Sequence, residues 1–213
     1  MTKKVFLHDL NNGKINTSLM VIKRLYKEGN KTIYLLSDRS GYINGKVKVV
    51  ISNKDRAYGL ERAKKHNIKA IVEKNEDEVI KLLKIEKVDL IILAGYLKIM
   101  SPNFVKTFRN KIINIHPSLI PAFCGEGYYG KRVHKAVIDY GAKLSGATVH
   151  FVDEGADTGP IIIQESVEVK YDDTPETLAS RVLDVEHKIL KKSVKLYCEN
   201  KLTVNGRGVI IND

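Results

Sequence analysis

The chain has 213 residues, 43% apolar and 29% charged, a balance that supports a packed core and excludes a disordered chain. No apolar run approaches the roughly 20 residues of a membrane span, the start has no long apolar signal core, and Cys124 and Cys198 alone make no disulfide framework, so a cytoplasmic setting is expected. The net charge of +11 rests on scattered lysines that far outnumber arginines, which fits a solvated surface or the steering of a small anionic substrate, not a nucleic-acid groove.

In chain order, a short strand is predicted over 5–7 and a helix over 18–28, with Leu19, Ile22 and Leu25 at helical spacing. A strand over 31–36 and another over 47–51 follow, separated by the turn signals Ser40-Gly41 and Asn44-Gly45. Next come a helix over 58–66, a strand over 70–72 and a helix over 77–85 carrying Val79, Leu82 and Leu83. The continuous apolar run over 89–95 reads as a central strand covered on both faces. A short helix over 102–108 is capped by Ser101, and a strand covers 112–115. A helix around 134–140, strands over 147–152 and 160–169, and a long helix from Thr174-Pro175 to about 200 complete the pattern. Strands alternating with helices predict an α/β fold: a mostly parallel twisted sheet with helices on both faces. The last strands, joined by short loops, pair antiparallel.

Two segments carry the chemistry. Ile113-Asn114-Ile115-His116-Pro117-Ser118 and Asp153-Glu154-Gly155-Ala156-Asp157-Thr158-Gly159-Pro160 each read as the end of a buried strand broken by Pro or Gly. An amide, an imidazole and a carboxylate thus reach strand ends, where open α/β sheets place their sites. Plainer readings stand beside this one. His116 caps a loop, Asp157 serves a turn, and His150, inside its strand, is read as a structural histidine in preference to an accessory that orients Asp157. His116, His134 and His150 lack metal-ligand spacing, and nothing around Cys124 marks a lowered pKa, so neither a metal site nor a thiolate nucleophile is expected.

Together with Ser145-Gly146-Ala147-Thr148-Val149-His150-Phe151-Val152, these segments resemble the folate-dependent formyltransferases. The resemblance runs from Gly41 onward and includes Ser52-Asn53, Leu93-Ala94-Gly95-Tyr96-Leu97 and Val185-Glu186-His187. It implies a Rossmann-type formyltransferase fold in one domain, 1–213, with a nucleotide-binding-like half over 1–110 and a catalytic, folate-binding half over 111–213. It implies 10-formyltetrahydrofolate as co-substrate without a metal, and formyl transfer to the amine of glycinamide ribonucleotide. Small molecules are then the partners, and a monomer or homodimer the form. Amine attack on a formyl carbon creates a negative oxygen and a positive nitrogen that sheds a proton. Asn114 and protonated His116 would stabilise the oxygen, and Asp157 would hold His116 charged and relay the proton. Leu97, Lys98, Ile99 and Met100 match the family's pterin pocket, with Val105 and Ile112 closing it and Val152, Asp153, Glu154 and Asp157 opposite. The apolar members also read as plain core. Gly95, Asn114, Pro117 and Glu186 match positions near the ribonucleotide, although Glu186 also reads as a solvated helix charge. The 125–130 segment, Gly125-Glu126-Gly127-Tyr128-Tyr129-Gly130, reads as a mobile loop over the site.

The first forty residues depart from the family. Where it places a glycine-rich phosphate loop, this chain has His8-Asp9-Leu10-Asn11-Asn12-Gly13-Lys14-Ile15-Asn16-Thr17-Ser18, with one glycine. Either a helix starting near Thr17 binds phosphate through Asn16, Thr17, Ser18 and Lys14, or the segment is altered and the nucleotide site is damaged. Hydrolysis of formyl-folate, formylation of a sugar-nucleotide amine, and folate binding without turnover are the alternatives. Neither the regulatory domain that usually precedes the hydrolase's catalytic domain nor the extra domain that follows it in the transfer-RNA formylating enzyme is expected within 213 residues.

Overall fold

The computed structural model describes residues 18–24, 43, 45–94, 96 and 98–212. Two compact units divide the chain, Met1–Ile113 and Asn114–Asp213, and the division falls within one strand. In the first unit, β1 (Ser18–Arg24), β2 (Gly45–Ser52), β3 (Lys69–Val72) and β4 (Leu90–Ala94) stand in the order β3-β2-β1-β4. β5 (Ile112–His116) begins beside β4, where the Ile91 N–H donates to the Lys111 carbonyl at 2.7 Å. β2 and β3 pair in parallel, joined by helix α1 (Tyr58–Lys65), which packs on both.

Local sequence explains these elements. On β4, Leu90, Ile91 and Ile92 are 0%, 0% and 1% exposed, as an uninterrupted apolar run demands, and each contributes about 1.5–3 kcal/mol of burial. Helix α2 (Glu76–Ile85) starts where the Asn75 side chain accepts from the Asp77 N–H, and it buries Val79, Ile80 and Leu83. Helix α3 (Pro102–Thr107) starts where the Ser101 hydroxyl accepts from the Phe104 N–H. Pro102 sits in its first turn, where a missing N–H costs no helical hydrogen bond.

The predicted helix over 18–28 is corrected: its described part, Ser18–Arg24, is a strand antiparallel to β2 and β4. Leu19-Met20-Val21-Ile22 is an unbroken apolar run, and so short a run satisfies strand and helix periods alike. Two neighbouring strands decide the matter by pairing with both of its edges. The sheet of this α/β fold is therefore mixed. The phosphate-holding helix start proposed at Ser18 is not formed, while Asn16 and Thr17 lie outside the described residues, as do the strands predicted over 5–7 and 31–36.

The second unit contains the end of β5, helix α4 (Lys131–Tyr140), β6 (Leu144–Phe151), β7 (Ile161–Glu168) and helix α5 (Pro175–Cys198). β6 lies between β5 and β7, and β6 and β7 pair antiparallel as their short connection predicts. α5 opens on a reciprocal cap between Thr174 and Thr177 and packs on α4, β6 and β7. Its buried stripe includes Leu178, Val182, Glu186, Ile189 and Ser193, so Glu186 is no solvated charge; it interrupts an apolar face. A hairpin not anticipated from sequence, β8 (Leu202–Asn205) with β9 (Gly208–Ile211), follows, and β9 packs against β7.

Candidate active site

Strand alternation places Asn114 and His116 two residues apart on one face of β5, while Ile113 and Ile115 bury the other, at 0% and 9% exposure. Asp157 comes from the turn between β6 and β7, with a φ of 58° that Asp adopts more readily than most residues. Gly159 makes that turn possible. A Cβ there would fall 1.8 Å from the Phe151 carbonyl oxygen, so only glycine lets the chain turn back this tightly.

The Asp157 carboxylate is the hub, with its side chain 15% exposed. Its Oδ2 lies 3.3 Å from His116 Nδ1 and accepts from the Gly125 N–H at 2.9 Å. Its Oδ1 accepts from Asn114 Nδ2 at 3.4 Å and lies 3.6 Å from His150 Nε2. Gly125 turns its N–H inward at a φ of 88°, a conformation that suits glycine. His116 Nε2 donates to the Phe123 carbonyl at 2.9 Å, and His150 Nδ1 donates to the Phe151 carbonyl at 2.8 Å. A carbonyl only accepts, so those nitrogens carry the protons and the remaining nitrogen of each ring faces the carboxylate. His150 Nε2 also lies 3.2 Å from Asn114 Nδ2.

Burial works against every charge here. It lowers the pKa of His116, opposed by the Asp157 charge and the Phe123 carbonyl and reinforced by His150. Desolvation outweighs the Asp157 charge here, and the ring can donate through its Nε2 proton. Burial also tends to raise the Asp157 pKa. There the hydrogen bond from His150, the His116 charge and the Gly125 N–H outweigh it, so the carboxyl sits below its ordinary value. His134 is lowered to about 4 by burial and by the His116 charge, and its Nδ1 has no hydrogen-bond partner among the described residues. Burial and the Asp157 charge raise the Cys124 thiol, the opposite of what a thiolate nucleophile needs. Glu186 is pushed up to about 7 by burial.

The structure thus brings Asn114, His116 and Asp157 together and adds His150, which the sequence reading took as structural. The positions predicted for folate divide between the units. Lys98 and Ile99 are exposed and Met100 is buried beside Tyr96, Ser52 and Asn53. Val105 and Ile112, 1% and 0% exposed, are core and present no surface that could close a pocket. In the second unit Val152 and Pro117 are half-buried and Glu154 is exposed. Asp153 braces its own turn by accepting from the Gly155 N–H and the Thr158 hydroxyl. Gly95 and Leu97 lie outside the described residues. Among the described residues no three His, Cys, Asp or Glu side chains gather as a metal site requires.

An α/β sheet here delivers an amide, imidazoles and a carboxylate to one point. The chain belongs to the formyl transferase family, whose pattern it matches over residues 27–194. A chloroplastic phosphoribosylglycinamide formyltransferase of Vigna unguiculata is 42% identical over 182 residues, 81% of this chain and 58% of that protein. The phosphoribosylglycinamide formyltransferase of Haemophilus influenzae is 40% identical over 172 residues, 76% of this chain and 79% of that protein. The crystal structure of glycinamide ribonucleotide transformylase 1 from Symbiobacterium toebii matches with a TM-score of 0.76 at 39% identity, covering 82% of this chain and 84% of that one. The chain spans less than two thirds of the plant relatives' length, 58% and 61% for the two matched.

Proposed function

We propose that this protein transfers the formyl group of 10-formyltetrahydrofolate to the amine of glycinamide ribonucleotide, a step of purine biosynthesis. The observation that carries the reading is the convergence on Asp157 of Asn114 Nδ2, at 3.4 Å, and His116 Nδ1, at 3.3 Å. The names of the relatives support it.

In the reaction the amine lone pair attacks the formyl carbon and the carbonyl electrons move to oxygen. Asn114 Nδ2, which contacts Asp157 and His150, turns one N–H from them to that oxygen when substrate binds. His116 Nε2–H joins it by exchanging the Phe123 carbonyl for the adduct oxygen. The ionised Asp157 accepts the proton from the ammonium nitrogen of the adduct, directly or through water. Collapse of the adduct then breaks the carbon–nitrogen bond to folate, whose nitrogen takes up a proton, and formylated amine leaves. No covalent enzyme intermediate is needed, so alignment of the two substrates carries much of the rate.

For folate we assign the backbone of 152–157 in the second unit. For the ribonucleotide we assign Asn114, Pro117 and Glu186. A buried carboxyl with a pKa of about 7 is a suitable partner for hydroxyl groups, since it can accept or donate near neutrality. The partners are small molecules, the form a monomer or homodimer, and the compartment the cytoplasm; no described helix is long and apolar enough to cross a membrane. The test is to mix purified protein with 10-formyltetrahydrofolate and to measure tetrahydrofolate release with and without glycinamide ribonucleotide. Release that requires the ribonucleotide supports the proposal. Release without any amine, or folate binding without turnover, overturns it.

A further inference from the structure

The turn that carries Asp157 is closed on itself by two side chains outside the reacting set. Asp153 Oδ1 accepts from the Thr158 hydroxyl at 2.6 Å and from the Gly155 N–H at 3.2 Å, which ties the start of the turn to its end. Gly155 makes room for this clasp. A Cβ there would fall 2.2 Å from Thr158 Oγ1 and 3.1 Å from Thr158 Cβ and Cγ2, so any larger residue would drive the threonine out of it. At the base of the turn the Phe151 N–H donates to the Pro160 carbonyl at 2.8 Å. Asp157 is the residue just before the clasped threonine, with its left-handed φ of 58°. Such a conformation persists in a residue with a side chain where the surrounding structure over-determines it.

We propose that Asp153 and Thr158 are positioning residues for formyl transfer: their clasp fixes the peptide groups of 152–157 against the formyl-folate and holds the Asp157 carboxylate at Asn114 and His116. The inference rests on the assignment of that backbone to folate and of Asp157 to proton transfer. A wall made of peptide groups recognises its ligand only while each N–H and C=O keeps its direction. Fixed in advance, those groups need no ordering when folate arrives. Released from the clasp, the turn has to be ordered by folate itself, which weakens folate binding and displaces the carboxylate. The positions assigned to the ribonucleotide, Asn114 and Pro117 at the end of β5 and Glu186 on α5, lie outside the turn.

The experiment measures kcat and both KM values in the full chain for Thr158→Val, Thr158→Ser, Asp153→Ala, the Thr158→Val/Asp153→Ala double variant and Asp157→Asn. Thr158 is exposed, so its replacement leaves the core intact. Thr158→Val keeps the shape and removes the hydroxyl. Its folate KM is expected to rise roughly 3- to 10-fold, the effect of one hydrogen bond, and its kcat to fall roughly 10-fold as the carboxylate shifts, with the ribonucleotide KM unchanged. Thr158→Ser, which keeps the hydroxyl, is expected to restore both. Asp153→Ala is expected to lose at least as much, and the double variant no more than Asp153→Ala alone, because the two side chains act as one unit. Unchanged folate KM and kcat in Thr158→Val, an equal rise in both KM values, no rescue by serine, or additive losses in the double variant overturn the proposal. Near-normal turnover in Asp157→Asn overturns the underlying site reading instead, which separates the two failures.

Discussion

Replacing Glu186 by glutamine tests how this fold tolerates a carboxyl on a buried helix face. Glu186 is 8% exposed, and burial alone pushes its pKa up to about 7 from the ordinary 4.5. That gap corresponds to about 3 kcal/mol of native-state cost once the group ionises in both states. A folded pKa above the unfolded one means that the native state holds the proton more tightly. The penalty is therefore absent below about pH 4.5, grows as pH rises through the window from 4.5 to 7, and is complete above it. Glu186→Gln keeps the shape and removes the charge. At pH 8 the variant should be more stable by about 3 kcal/mol, a Tm rise of roughly 5–10 °C, and the difference should shrink toward zero at pH 4. Thermal denaturation of both proteins across that range is the assay. An equal difference at both ends, or a variant less stable at pH 8, refutes the reasoning. The same variant should raise KM for the ribonucleotide, so stability is gained where function is lost.

Other perturbations give distinct outcomes. Asp157→Asn removes the charge that His116 and His150 face; turnover should fall by roughly 100- to 10,000-fold while far-ultraviolet circular dichroism stays unchanged. Asn114→Ala should lower kcat by roughly 100- to 1000-fold with little change in folate affinity measured by fluorescence titration. Gly159→Ala would force a Cβ to within 1.8 Å of the Phe151 oxygen, and the resulting displacement of the turn should appear as lost activity with a lowered Tm. Leu90→Ala, at 0% exposure on β4, should cost about 2–5 kcal/mol in urea unfolding.

Much of this architecture was legible because its signals are redundant. β4 and β5 are apolar runs that end in Gly or Pro, and α3 and α5 announce themselves by a capping Ser or Thr followed by Pro. β1 was not legible, since four apolar residues in a row fit either period and its fate depends on edges supplied by β2 and β4. The β8–β9 hairpin had a local signal, Asn205-Gly206, in a segment that lacks a long apolar run. At the site, Asn114, His116 and Asp157 were readable from residue type at strand ends. The part of His150 was not, because a histidine within a strand looks the same whether its ring meets core or carboxylate. The Phe123 carbonyl and Gly125 N–H escaped as well, since backbone groups that complete a site leave no mark in residue identity.

The central claim is that Asn114, His116 and Asp157 act on a single formyl group. A crystal structure with a folate analogue that carries a hydrated carbonyl in place of the formyl group measures this directly. The account predicts the adduct oxygen about 3 Å from Asn114 Nδ2 and a His116 ring nitrogen, with Asp157 beside the second oxygen. An analogue bound with its reacting carbon on a different face of the fold, beyond hydrogen-bond reach of all three side chains, contradicts it.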